Sequence, residues 1–147
     1  MNNIVVEREA PTCESPRLTE SLFEICRHFD LTPIPLKPKS KVPLVRWSDG
    51  SWKPTSLELE TWASKPDINW SVRCGENLAG IDCDSENEYS RFTAAHKLPR
   101  SCPIVKTGRG YHIWVKPKRA IRSQRVGNLE IKCLGSYIVA PPSIHPR

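Results

Sequence analysis

Leu78-Ala79-Gly80-Ile81-Asp82-Cys83-Asp84-Ser85 predicts a short strand that ends on two acids. Side chains alternate between faces along a strand, so Asp82 and Asp84 share one face while Ile81 and Cys83 point into a core. Two carboxylates on one face, roughly 6.5–7 Å apart along the strand, suit hard divalent cations such as Mg²⁺ or Mn²⁺. Such ions take oxygen ligands and are held by one or two carboxylates together with substrate phosphates. Ser85 and Glu88 also form an S-x-x-E pattern, so the acids fit equally the lead-in to a helix N-terminus. The surrounding chain decides between the two.

A chain of 147 residues is one domain by size, long enough for a real core. Its apolar fraction of 38% and charged fraction of 26% are those of a soluble globular protein, although proline is abundant. No apolar run is long enough to span a bilayer, and the polar N-terminus lacks the apolar region of a signal peptide. The expected location is the cytoplasm. Cys13, Cys26, Cys74, Cys83, Cys102 and Cys133 form no C-x-x-C pair, and without a secretory signal a disulfide framework is not expected. Cys74, Cys83 and Cys133 lie in apolar, strand-like runs where cysteine acts as a small hydrophobe. Nothing in the spacing favours a zinc site built from distant cysteines with His28 or His96.

Charge is unevenly placed. From Lys97 onward the bases are Lys97, Arg100, Lys106, Arg109, Lys116, Lys118, Arg119, Arg122, Arg125, Lys132 and Arg147, and Glu130 is the only acid. The earlier part of the chain is mildly acidic. A basic half of this kind points to a polyanion, with nucleic acid or nucleotide phosphates foremost, or else to a solvated basic face.

Residues 1–14 read as a loose tail. Ser15-Pro16 opens a helix with Leu18, Leu22, Ile25, Cys26 and Phe29 on one face. A short strand over Thr32–Leu36 leads to a Lys-Pro-rich loop, Lys37-Pro38-Lys39-Ser40-Lys41-Val42-Pro43, and then Trp47. Thr55 or Ser56 caps a second helix bearing Leu57, Leu59 and Trp62. Asn69–Cys74 reads as a strand before the acid-bearing one, and Glu86–Lys97 as a third helix with Tyr89, Phe92 and Ala95 inward. Two strands flank Gly108-Arg109-Gly110 as a hairpin, Arg119–Gly127 is a basic connection, and 129–133 with 136–140 form a second hairpin across Leu134-Gly135. Helices first and hairpins later imply an α+β domain with helices packed on a mainly antiparallel sheet.

Further features share the polar phase of these strands. His112 follows Gly-Arg-Gly, whose backbone can approach a ligand closely and offer N–H groups to phosphate oxygens. Glu130 interrupts Leu129 and Ile131, so it projects from the opposite face, and Lys132 shares that face. Ala140-Pro141-Pro142-Ser143-Ile144-His145-Pro146 holds a polar Ser and His in a stiff loop directly after the last strand. Each feature has a bland alternative: a satisfied strand histidine, an exposed glutamate, a rigid strand exit.

Taken in order, these pieces resemble the N-terminal primase–polymerase (Prim-Pol) domain of bifunctional DNA primase/polymerases, in the archaeo-eukaryotic primase superfamily. The resemblance runs from about Pro33 onward. Lys41-Val42-Pro43 with Trp47 resembles the family's K-x-P…W segment, and Asn69–Gly75 its N-x-x-V…G strand. Gly80-Ile81-Asp82-Cys83-Asp84 matches its metal-binding D-x-D/E motif. Thr107-Gly108-Arg109-Gly110-Tyr111-His112 is similar to the motif whose His contacts nucleotide phosphates. Leu129-Glu130 stands at the third metal-binding acid, and Gly135–His145 is similar to the G-G-Y-hydrophobic-A-P-P-S-x-H ending. The third acid is normally Asp, so Glu130 is one methylene longer. Family domains usually continue past this ending, whereas the chain stops at Arg147, so the expectation is a catalytic domain over 15–147 shortened at its C-terminus.

The resemblance implies an RRM-like, mainly antiparallel sheet joined to a small N-terminal α/β unit. It implies template-directed nucleotidyl transfer with two Mg²⁺ or Mn²⁺ ions, in replication of a plasmid, phage or mobile element. Asp82, Asp84 and Glu130 would hold the metals, and His112 and Arg109 the triphosphate, with Lys132, Ser143 and His145 nearby. Implied partners are a DNA template and primer, nucleoside triphosphates and a replicative helicase, with no membrane. A catalytically inert, nucleic-acid-binding remnant and a metal-dependent nuclease are the alternatives.

Overall fold

Strong alternation over Ala79–Cys83 produces the expected strand, and it takes the middle position of a five-stranded sheet. The computed structural model describes residues 15–49, 52–141 and 143, with side chains from Glu20 onward; the expected tail, residues 1–14, and His145 lie outside them. Among the described residues no helix is long and apolar enough to cross a membrane. The elements in chain order are α1 (Ser15–His28), β1 (Pro33–Leu36), α2 (Ser56–Ala63), β2 (Asn69–Arg73), β3 (Ala79–Cys83) and α3 (Glu86–Ala95). Then come β4 (Ile104–Lys106), β5 (Tyr111–Val115), β6 (Gln124–Val126), β7 (Leu129–Lys132) and β8 (Tyr137–Ala140). Both sheets are antiparallel throughout, which gives the α+β class expected from the residues.

The described residues divide into two compact units, one over Cys74–Ser136 and one joining those up to Arg73 with those from Tyr137 onward. The first holds the sheet β4-β5-β3-β7-β6 and α3. Ile81 and Cys83 of β3, Ile113 and Val115 of β5 and Leu129 of β7 come together with Tyr89 and Phe92 of α3, Leu98 and Cys102. Period-two patterning on the strands and helical spacing on α3 thus bury one sheet face under the helix. Tyr89 stacks on Tyr111 with ring centroids 4.1 Å apart, fixing the helix against β5. Ser85 starts α3, its hydroxyl accepting from the Glu88 N–H at 3.1 Å. That is the capping role foreseen for it.

The second unit holds α1, α2 and the sheet β1-β2-β8. Its buried residues include Ile34, Leu36, Trp70, Val72 and Ile138 from the strands and Leu22, Phe23 and Cys26 from α1. Phe23 meets Trp70 edge to face at 4.9 Å. Phe29, expected on the inner face, is 55% exposed, because α1 ends at His28 and Asp30 turns the chain with a φ of 52°. Thr55 caps α2 with a reciprocal Thr55–Glu58 box.

Ala95, expected inward on α3, is exposed, and the strand connections differ from the sequence expectation in two places. The basic connection contains an extra strand, β6, which pairs with β7 across Gly127-Asn128. Gly127 takes a φ of 60°, which a tight turn between strands requires. Second, β7 and β8 do not form a hairpin across Leu134-Gly135: β7 lies beside β3 and β6, and β8 beside β2. Cys133 and Leu134 leave the ladder to meet Ser123 and Ile121, and Gly135, at a φ of 80°, redirects the chain.

Candidate active site

The register of the central strands builds the site. Asp82 of β3 lies directly across from His112 of β5 on one side and from Glu130 of β7 on the other. Glu130 in turn faces Arg125 of β6. Opposed residues share a sheet face, so His112, Asp82, Glu130 and Arg125 form one transverse row, on the face away from the Cys83 and Ile113 core. Asp82 and His112 are the polar partners in the alternation that buries Cys83 and Ile113 beside them, whereas Arg125 sits on an exposed edge strand.

Within the row the charges are paired. His112 Nε2 lies 3.3 Å from Asp82 Oδ1, and Lys132 Nζ lies 3.6 Å from Asp82 Oδ2. Lys132 starts opposite Gly80 and reaches diagonally past a position with no side chain. The Asp82 side chain is 15% exposed, His112 10% and Lys132 20%, so water screens this cluster poorly. Burial pushes the Asp82 carboxyl up, but the His112 hydrogen bond and charge, with Lys132, outweigh it and hold it below the usual carboxylate range. Asp82 is therefore ionised at neutral pH. Its lowered value makes its contribution to stability present above the ordinary carboxyl value of about 3.9, and lost as the pH falls through the folded value. Acid unfolding of the wild type should steepen below about pH 4, and Asp82→Asn should remove that part of the curve.

Farther out, Glu130 pairs with Arg125 at 3.9 Å where both are well exposed, which contributes little to stability. Asp84 lies beyond the end of β3 and is exposed. Arg109 is exposed in the β4–β5 turn. That turn is closed by Thr107, whose N–H donates to the Gly110 carbonyl at 2.8 Å and whose hydroxyl accepts from the Gly110 N–H at 3.0 Å. It is held against the strand that carries the acids: a Cβ on Gly110 would lie 1.9 Å from the Cys83 carbonyl and 2.7 Å from the Ser85 nitrogen.

The row brings together Asp82, Glu130 and His112, and Lys132 reaches Asp82 from two residues along β7; Asp84 follows the end of β3, and Arg109 lies in the turn whose Gly110 is held against that end. Ser143 belongs to the other unit. It is buried, and its hydroxyl accepts from the Trp70 N–H at 2.7 Å and donates to the Trp70 carbonyl at 2.8 Å. Ser143→Ala strips both groups of that partner, and the expected cost is about 2 kcal/mol, read as a lower thermal midpoint. A loss of nucleotide affinity at unchanged stability would instead give the hydroxyl a ligand-contacting role. The basic composition of Arg119–Gly127 marks Arg125 only as one cation of a connection; the Gly127-Asn128 turn is the signal that places it on a strand beside Glu130.

Among the described residues no three His, Cys, Asp or Glu side chains converge closely enough to hold a metal ion as they stand. The donor chemistry nevertheless fits a hard cation: an ionised Asp82, with Glu130 opposite and Asp84 beyond it. His112 Nδ1 is buried with no hydrogen-bond partner among the described residues, so the cradle beside Asp82 is one polar contact short. The thiols do not compete. Burial pushes Cys74 up to about 12 and Cys83 to about 11, which keeps both neutral.

No curated protein matches the chain. The family model for the N-terminal domain of bifunctional DNA primase/polymerases, Prim-Pol, matches residues 24–147, a span that contains every strand among the described residues and the whole His112–Asp82–Glu130–Arg125 row. The antiparallel α+β architecture is compatible with a domain of the archaeo-eukaryotic primase type, and the chain belongs to the Prim-Pol family.

Proposed function

We propose that the chain catalyses template-directed nucleotidyl transfer, in which a 3′-hydroxyl attacks the α-phosphate of an incoming nucleotide and pyrophosphate leaves. Membership of the family implies DNA primase/polymerase activity, with DNA and nucleotides as substrates. The observation that carries the finer reading is the transverse row, an ionised Asp82 flanked by His112 and Glu130 with Lys132 at its second oxygen. Asp82, Glu130 and Asp84 would hold Mg²⁺ or Mn²⁺, which when bound supplies positive charge to the attacking and leaving oxygens.

The protein's own groups do the positioning. His112 keeps Asp82 ionised and oriented through Nε2. Lys132 has a charge to give to a phosphate once Asp82 turns to another cation, and Arg125 is in the same situation at Glu130. Arg109 is exposed on a turn with no side chain on either flank, where a phosphate can approach the backbone. Chemistry of this kind needs positioning and charge stabilisation rather than a protein nucleophile.

Primer extension and de novo priming, run with Mg²⁺ or Mn²⁺ and with deoxy- and ribonucleotides, test the reading. The expected result is nucleotide-dependent product that disappears with EDTA. Consumption of DNA without nucleotides would assign the same acids to a nuclease, and neither reaction would leave a nucleic-acid-binding remnant.

A further inference from the structure

The connection from β1 toward α2 presents a second set of ligand-suited side chains, all within the three-stranded unit. Between Lys37 and Asp49 it has no regular element, only a bridge of Leu36 to Pro43. Its backbone is nevertheless held at one carbonyl after another. Asn69 Nδ2 donates to the Ser40 carbonyl at 3.0 Å, and the Tyr137 hydroxyl to that of Lys41 at 2.6 Å. The Arg73 guanidinium donates to the carbonyls of Trp47, of Asp49 at 3.1 Å and of Trp52 at 3.0 Å. Arg73 also lies 5.9 Å over the Trp52 ring, and Trp47 meets Tyr137 edge-on at 5.0 Å.

A loop whose carbonyls satisfy donors from β2 and β8 has turned its polar backbone inward, leaving its side chains to the outside. Those side chains are basic and apolar. Lys37, Lys39, Lys41 and Arg46 are exposed, Val42 is 51% exposed and Leu44 43%, and Trp47 and Trp52 are partly so. Asp49 is the only acid between residues 37 and 49. Lys39 holds a φ of 50°, a left-handed conformation that glycine or asparagine would adopt more easily. A lysine held there puts charge at the tip at the expense of backbone comfort, and such outliers point to function.

We propose that Lys37–Asp49, with Trp52, is a binding platform for single-stranded DNA. The four cations lie where they can meet backbone phosphates, and Val42, Leu44 and the exposed parts of Trp47 offer surfaces for unstacked bases. A duplex keeps its base faces inside, so it would leave those apolar groups unmatched. The choice of DNA as the polyanion rests on the family's substrate.

The test is fluorescence anisotropy of a labelled oligo-dT with the full chain across a salt series, alongside nucleotide binding by the same preparations. Replacing Lys37, Lys39 and Lys41 by alanine should weaken DNA binding at least about tenfold, and flatten the slope of log affinity against log salt by about 2, at roughly 0.7 per phosphate contact. Lys39→Gly should weaken binding with an unchanged or higher melting temperature, since glycine suits that φ. Lys65→Ala, an exposed cation of the same unit outside the loop, should bind as wild type. Unchanged affinity in the triple variant, an equal loss in Lys65→Ala, or equally tight binding of a duplex overturns the platform. A chain that binds nucleotide but ignores the loop lysines overturns the platform and leaves the primase–polymerase reading standing. A chain that binds no nucleotide yet loses DNA with those lysines supports the platform and removes the other.

Discussion

Asp82→Asn is expected to reduce nucleotide incorporation by about a thousandfold or more, the upper range for loss of one preorganised electrostatic group. Asn keeps the shape of the side chain and removes its charge. Asp82 is the group that both His112 and Lys132 reach, and it lies directly opposite Glu130, so nothing else in the row can replace it. The substitution also leaves the mostly buried Lys132 without its counter-ion and removes the carboxylate that His112 Nε2 faces. A stability loss of about 1–3 kcal/mol should follow, so incorporation must be compared per folded molecule. Asp84→Asn gives the contrast. Its side chain is exposed beyond the strand end, so stability should change by no more than about 0.5 kcal/mol while incorporation falls. Incorporation near the wild-type rate by folded Asp82→Asn would remove this row from the chemistry.

Gly110→Ala is expected to be the most damaging single methyl group in the five-stranded unit. Its Cβ would lie 1.9 Å from the Cys83 carbonyl, 2.7 Å from the Ser85 nitrogen and 2.9 Å from the Asp84 carbonyl carbon, all backbone atoms with no rotamer to change. The β4–β5 turn must then move away from the exit of β3. The expected cost is about 3 kcal/mol, the upper end for overpacking, or a fall of about 10 °C in the thermal midpoint. The same displacement shifts Arg109 from the acids, so activity should drop further than the folded fraction. Gly108→Ala is the control: its Cβ would meet nothing within 4 Å. Equal effects at both glycines would show that turn flexibility, not close approach, is what the motif needs.

The strands that carry the site were legible because each alternates cleanly. Ile81 and Cys83 against Asp82, and Leu129 and Ile131 against Glu130, assign faces from the residues alone. Phase does not give register, however. That Asp82 faces His112 rather than Tyr111 depends on how the strands slide, and a shift by one residue would have put every polar group on the other side. Strand β6 leaves no periodic signal, because Gln124-Arg125-Val126 is an exposed edge with no apolar face to announce it. A Leu-Gly turn between two apolar runs has the local pattern of a hairpin, whereas β8 pairs with β2, far away in sequence. The burial of Ser143 is not legible in the sequence, because its two bonds to Trp70 span a separation that no local pattern encodes.

The crossing between units has a consequence for how the chain folds. Arg73 and Tyr137 are cross-strand neighbours in one unit, while Cys74 and Ser136, one residue further in, are joined by a hydrogen bond of 3.0 Å in the other. Topologically, Cys74–Ser136 is an insertion whose two ends meet, spliced between the paired strands β2 and β8. During synthesis the inserted stretch has all its own strands available as soon as it emerges, while β2 waits for β8 as its partner across the whole insertion. The loop-closure cost of that wait grows only slowly with length, and it falls sharply once the inserted unit has folded and brought its ends together. On this topology the five-stranded unit is expected to fold first and to bring β2 and β8 within reach of each other.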